Sequence, residues 1–224
     1  MDQFSDALKG YEIDIDQPII NTGEGFSYYE HTVGNYAALF GKFHTVYKDK
    51  DGKRCEKDNP GAEKQNYGMQ DYLIIGSPDN HGFGQNFVMP ANASYGEFIF
   101  KSYITTVPDE LWRIKPLFEA LKFAGFPQYD VIEKTGVKDS EFKVNFKNLA
   151  YFFGCRVAFT LNKGKKMTYI TDLKLIDTTL TPELFKQRIA VINDLYTKLE
   201  ALREREERER KERKEQNSET PTAP

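Results

Sequence analysis

The first strong β-strand pattern in the chain is YAALFGKFHTVY, residues 36–47. Its apolar and aromatic side chains, among them Leu39, Phe43 and Tyr47, favour a pleated and half-buried surface. Gly41 interrupts the run, and a glycine inside a strand is typical of a bulge or a bend. The pattern therefore predicts a long strand that curls, as strands in small barrels do.

Four more strand patterns follow, over residues 69–76, 96–107, 151–161 and 165–176. The last two are joined by Asn162, Lys163 and Gly164, a short polar connection that indicates a β-hairpin. Residues 48–68 are polar and rich in turn signals such as Asp51–Gly52. A loop of this length in a compact domain is usually functional or disordered.

Two helices are predicted. Residues 109–125 have apolar side chains at helical spacing and end at Gly125. A second helix begins where Thr181 supplies an N-cap and Pro182 the first helical position. From residue 203 its opposite charges fall three and four residues apart, which favours a solvated helix. The predicted organisation is an N-terminal extension (1–35), a folded domain (36–180), a C-terminal helix (181–215) and a disordered tail (216–224).

Taken in order, the elements of the domain are three strands, a helix and two strands. This is the order of an OB-fold, a five-stranded barrel that we expect here with its helix between strands 3 and 4. The predicted fold class is therefore mainly β with appended α. OB-folds bind oligonucleotides or oligosaccharides on a barrel face beside the loops after strands one and four. We expect those two loops, residues 48–68 and 162–166, on opposite sides of one groove.

The charge balance limits the kind of partner. The chain has 31 basic and 34 acidic residues and a net charge of -3, so a nucleic-acid site has to be a local basic groove. Cys55 and Cys155 form no CxxC pair, which argues against a disulfide scaffold or a zinc module. The first residues lack the pattern of a signal peptide, and no apolar run approaches the roughly 18 residues of a membrane span. We expect a cytoplasmic protein with no membrane partner.

No catalytic motif stands out. His31, His44 and His81 share no metal-ligand spacing. The sequence lacks a nucleophile elbow, a phosphate-binding loop and a dinucleotide fingerprint. It therefore predicts a protein that binds and does not catalyse, with no cofactor and no metal.

Three segments carry a resemblance to a known family. They are VGNYAAL at 33–39, LFEAL at 117–121 in the first helix, and FGCRV at 153–157. In these segments the chain resembles bacteriophage single-stranded-DNA-binding proteins with OB-folds. The resemblance implies sequence-tolerant binding of single-stranded DNA in phage replication or recombination, in the cytoplasm of the bacterial host. Such proteins often end in an acidic tail, whereas this chain ends in mixed charge.

The candidate binding residues are aromatic side chains that stack on bases and basic side chains that contact phosphates. The aromatic candidates are Phe43, Tyr47, Tyr72 and Tyr169. The basic candidates are Lys48, Lys53 and Arg54 in the first loop, Lys163, Lys165 and Lys166 near the hairpin turn, and Arg156 in a strand that is otherwise apolar. Each aromatic side chain could instead pack in the core, and the lysines could belong to an ordinary soluble turn.

A second interpretation is a phage structural or assembly protein. In this alternative the β domain packs against neighbours and the C-terminal helix drives self-association. The near-neutral charge and the helical arm fit it. The sequence leaves open DNA against RNA, the site size, the oligomeric state and which aromatic side chains face outward.

Overall fold

The fold is described from a computed structural model, over residues 29–105, 132–134, 142–144, 152–165, 168–176 and 182–218. The strands are β1 (Gly34–Lys48), β2 (Arg54–Cys55), β3 (Glu63–Gly76), β4 (Ile99–Thr105), β5 (Ile132–Lys134), β6 (Phe142–Val144), β7 (Arg156–Lys163) and β8 (Thr168–Leu175). A 3-10 turn spans Tyr95–Glu97, and the helix α1 spans Pro182–Ser218. Residues 109–125, the first predicted helix, lie outside the described residues.

The main sheet has the strand order β4-β3-β1-β7-β8, and every pair in it is antiparallel. The short β2 pairs with the end of β1, and β5 and β6 form a separate two-stranded sheet. The order β7-β1-β3-β4 is a Greek key, in which the fourth strand returns beside the first. Among the described strands the sheet is open, with β4 and β8 at its edges. The mainly β class with an appended helix is confirmed, whereas a closed barrel is not seen in this part of the chain.

The long first strand bends where the sequence predicts. The pairing of β1 with β3 changes register between Phe40 and Phe43, in the segment that contains Gly41. A Cβ atom at Gly41 would lie 2.5 Å from the hydroxyl of Tyr196 and 2.8 Å from Leu73 Cδ1. Gly41 is therefore required because the helix approaches the strand closely there. The predicted bulge in β1 is confirmed.

The two faces of the sheet carry different side chains, because successive residues of a strand point to opposite faces. Leu39, Leu73 and Ile99 pair across β1, β3 and β4 and lie on the face that packs against α1. Aromatic residues of β1, β3, β4 and β7 form a cluster on the other face. Its members are Tyr36, Phe40, Tyr72, Phe100 and Phe159, all buried.

Helix α1 begins at Pro182, the predicted first helical position. It packs on the sheet through a stripe of buried side chains: Ile189, Ile192, Leu195, Leu199 and Leu202. The charged part that follows is not entirely solvated. Arg205 donates hydrogen bonds to the carbonyls of Ala91 and Ala93, at 2.7 and 2.9 Å. The helix thereby holds the loop between β3 and β4.

A buried carboxylate joins α1 to three strands. Asp71 in β3 lies 2.6 Å from Lys101 Nζ in β4 and 2.7 Å from His44 Nε2 in β1. The hydroxyl of Tyr196 in α1 donates to Asp71 at 2.9 Å and accepts from the backbone N–H of Lys42 at 2.7 Å. Burial raises the pKa of Asp71, but the charge of Lys101 and the hydrogen bonds from Lys101 and His44 outweigh it and lower the pKa to about 2. Asp71 is therefore ionised at neutral pH.

Other boundaries differ from the sequence analysis. β3 begins at Glu63, six residues before its predicted start, and β2 lies within the predicted loop. The loop is shorter because both segments pair with the end of β1. The hairpin of β7 and β8 is confirmed. No helix in the described part of the chain is long and apolar enough to cross a membrane.

The substitution Tyr196→Phe removes a hydroxyl that bonds the buried charge of Asp71 and the backbone N–H of Lys42. We expect the free energy of unfolding, measured by urea denaturation, to fall by about 2–3 kcal/mol, because bonds to charged groups are the stronger class. Tyr36→Phe is the matched control, since among the described residues its hydroxyl bonds only the neutral carbonyl of Thr32, and it should lose about 1 kcal/mol. An equal or smaller loss in Tyr196→Phe would contradict this role for the Asp71 network.

Candidate nucleic-acid interface

Helix α1 covers one part of its sheet face and leaves another part open. The covered part belongs to β1, β3 and β4. The part formed by β7 and β8 carries polar side chains at alternate positions, and we call it the open hairpin face. Its members are Arg156, Thr160, Asn162, Tyr169, Thr171 and Lys174, all partly or fully exposed.

The alternation of the hairpin produces this face. Val157, Phe159 and Leu161 are buried on the inner side, so the residues between them point outward. In β8 the register shifts near Asp172, which has a left-handed backbone with φ 51°. This extra residue brings Thr171 and Lys174 to the same side, three positions apart.

Hydrogen bonds fix several of these polar side chains. Asn162 Nδ2 donates to Thr171 Oγ1 at 2.7 Å, across the hairpin. Thr160 Oγ1 donates to Asn35 Oδ1 at 2.9 Å, which extends the face onto β1. The polar groups are therefore held in place before any ligand arrives, and this lowers the entropy cost of binding.

The hairpin concentrates positive charge. Residues 156–175 contain five basic residues and one acidic residue, Asp172, in a chain whose net charge is -3. Arg156 and Lys174 are exposed at the base of the hairpin, and Lys165 is exposed at its tip. The side chain of Lys166 lies outside the described residues. The hairpin is thus a local basic surface on an acidic protein.

Lys163 at the tip forms an ion pair. Its Nζ atom is 2.5 Å from Oε1 of Glu30, in the segment before β1. The hydrogen bond and the attraction between the two charges raise the pKa of Lys163 and lower the pKa of Glu30. Both side chains are largely exposed, so solvent screens the pair and its contribution to stability is small.

The aromatic candidates differ in exposure. Tyr169 is 37% exposed and lies directly across from Asn162. Phe43 and Tyr72 are each 3% exposed, and Tyr47 is 9% exposed. Tyr72 belongs to the aromatic cluster on the inner face. Of the four, Tyr169 is the side chain with the largest exposed fraction.

The first predicted loop lies far from the hairpin tip. Gly34, the first residue of β1, pairs with Leu161 near the tip, whereas Lys48, the last, pairs with Arg54. The basic set Lys48, Lys53 and Arg54 and the hairpin set are therefore at opposite ends of a 15-residue strand. The loop also contains acids: Asp49 Oδ1 accepts hydrogen bonds from the backbone N–H groups of Asp51 and Lys53. The structure does not bring the two sets together.

Several residues of the open hairpin face were not among the binding residues predicted from the sequence. Asn162, Thr171 and Lys174 could have been found, because alternation across a predicted hairpin separates outward from inward positions. Asn35 could not, since its position depends on the pairing of β1 with β7. In the described part of the chain, no three His, Cys, Asp or Glu side chains form a group that could hold a metal ion.

Comparisons with protein-family models, with curated proteins and with solved structures found no match to this chain. A function therefore has to be inferred from the geometry and charge of the chain itself.

Proposed function

We propose that the protein binds single-stranded DNA on the open hairpin face, with tolerance for sequence. The observation that carries the proposal is the coincidence of an exposed Tyr169 with five basic residues on one hairpin of an acidic chain. The resemblance to bacteriophage single-stranded-DNA-binding proteins adds the context of DNA replication or recombination. No cofactor is needed, because the function consists of binding alone.

Electrostatics supplies most of the affinity in this proposal. Lysine and arginine side chains that neutralise phosphates release counterions from the nucleic acid, which favours binding at low salt. Arg156 and Lys174 lie at the base of the hairpin and Lys165 at its tip. Cations at both ends suit a strand laid along the hairpin, which is roughly 26 Å long for eight residues at about 3.3 Å each.

Tyr169 supplies the preference for single strands. A base can stack on an exposed aromatic ring only when it is not already paired within a duplex. Stacking is tolerant of sequence because every base has a flat face. Asn162, directly across the hairpin, and Thr171 offer hydrogen-bonding groups beside that ring.

The strand order supports a more specific proposal for the fold, namely that the domain is an OB-fold. The described strands have the Greek-key order, and the OB-fold is a five-stranded Greek-key barrel. In this proposal the edges β4 and β8 approach each other to close the barrel, and the first predicted helix lies between β4 and β7. The buried aromatic cluster then fills the barrel interior.

The rival function is assembly through α1. The helix has 37 residues and a length of about 55 Å at 1.5 Å per residue. Its part after Leu202 contains no apolar residue up to Ser218. A coiled coil requires an apolar seam along its whole contact, so this part of α1 gives little support to self-association.

Fluorescence anisotropy of a labelled oligo(dT) of thirty bases tests the proposed function. We expect the protein to bind this strand more tightly than a duplex of equal length, and to lose affinity as salt rises. Equal affinity for the duplex would contradict the role of base stacking. Absence of binding at low salt would contradict the function and leave the assembly protein as the better interpretation.

Variants of the open hairpin face separate its two contributions. Tyr169→Ala should weaken binding roughly five- to 150-fold, equivalent to about 1–3 kcal/mol of stacking, with little change in salt dependence. Lys174→Gln should reduce the slope of log affinity against log salt by about 0.7. Lys211→Gln on exposed α1 is the matched control and should change neither. Wild-type binding by Tyr169→Ala would show that the strand binds elsewhere.

A further inference from the structure

The ion pair between Glu30 and Lys163 joins two distant parts of the chain at the hairpin tip. The two residues are 133 positions apart, and their side chains are 68% and 65% exposed. Lys163 is the last residue of β7, next to Asn162 of the open hairpin face, and its side chain reaches the segment that carries Glu30. The contact therefore occupies a basic group at the edge of the proposed interface.

The segment that presents Glu30 is anchored on both sides of this residue. The hydroxyl of Tyr29 is hydrogen-bonded to His81 Nδ1 at 2.5 Å, and His31 Nε2 lies 3.2 Å from the carbonyl of Ile99. Tyr29 also packs where Gly96 has no side chain, since a Cβ atom there would lie 2.2 Å from Tyr29 Cβ. The carboxylate of Glu30 is thus held near Lys163 by residues on either side of it.

We propose that Glu30 is an intramolecular competitor of nucleic-acid phosphate for Lys163. The proposal rests on the proposed function, because it concerns the regulation of the same site. A carboxylate and a phosphate both offer anionic oxygens to the ammonium group of lysine, and Lys163 can satisfy only one of them fully. While it is paired with Glu30, Lys163 adds no net charge to the basic surface. A bound strand gains this cation by displacing Glu30.

The exposure of the pair sets the size of the effect. Exposed ion pairs are weak, so Glu30 should tune affinity and not block binding. Its removal should strengthen binding about two- to fivefold. Its removal should also steepen the slope of log affinity against log salt by about 0.7, which is the value for one phosphate neutralised on a single strand. In the wild type the counterion released by the phosphate contact of Lys163 is balanced, because the displaced carboxylate of Glu30 attracts a cation from solution.

A double-mutant cycle on the full chain tests the proposal, with labelled oligo(dT) and a salt series. The proteins are the wild type, Glu30→Gln, Lys163→Gln and the double variant. We expect Glu30→Gln to bind about two- to fivefold more tightly than the wild type, and the double variant to match Lys163→Gln. Asp194→Asn is the control, because Asp194 also forms an exposed ion pair, 2.7 Å from Lys198, and its loss changes net charge equally.

Four results would overturn the proposal, and the last two also show whether the proposed function stands. One is an equal change in affinity for Glu30→Gln and Asp194→Asn, which would mean that only net charge matters. Another is a gain from Glu30→Gln that persists in the Lys163→Gln background. If the wild type binds and Glu30→Gln leaves its affinity unchanged, the competition fails while the proposed function stands. If none of the proteins binds, both fail.

Discussion

The ionised carboxylate of Asp71 is the constraint on which the arrangement of sheet and helix depends. An isolated charge inside a protein is very costly, so its neighbours have to satisfy it. Lys101 and His44 do so from the two adjoining strands, and Tyr196 does so from α1. The Tyr196 hydroxyl also accepts a hydrogen bond from the backbone N–H of Lys42, at the bulge. The positions of the helix, the bulge and the buried charge therefore depend on one another. Gly41 leaves the space that this contact requires.

The position of α1 then decides which surface is free. Its apolar stripe covers the outer side of β1, β3 and β4, and Arg205 holds the loop that follows β3. The outer side of β7 and β8 stays accessible, and it carries Arg156 and Lys174. The covered half of the sheet face therefore supports the fold, whereas the other half presents charged and hydrogen-bonding groups and the partly exposed ring of Tyr169.

The sequence predicted the elements whose signals are local. The bulge at Gly41, the hairpin after Asn162 and the helix start at Pro182 follow from the residue types at those positions. Local sequence does not determine which aromatic side chains are exposed. Phe43 and Tyr169 both have a residue type that suits stacking, yet Phe43 is buried and Tyr169 is exposed. Which side of a strand is covered depends on what packs against it. The pairing of Glu30 with Lys163 is equally invisible in sequence, since 133 positions separate the two residues.

The proposed function requires that a single strand of DNA lies on the open hairpin face with a base against Tyr169. Photocrosslinking tests it most directly, with an oligonucleotide that carries 5-bromodeoxyuridine and with mass spectrometry of the tryptic peptides. We expect crosslinks in the peptide of residues 167–174, which contains Tyr169. Crosslinks confined to the loop after β1, or to α1, would contradict it.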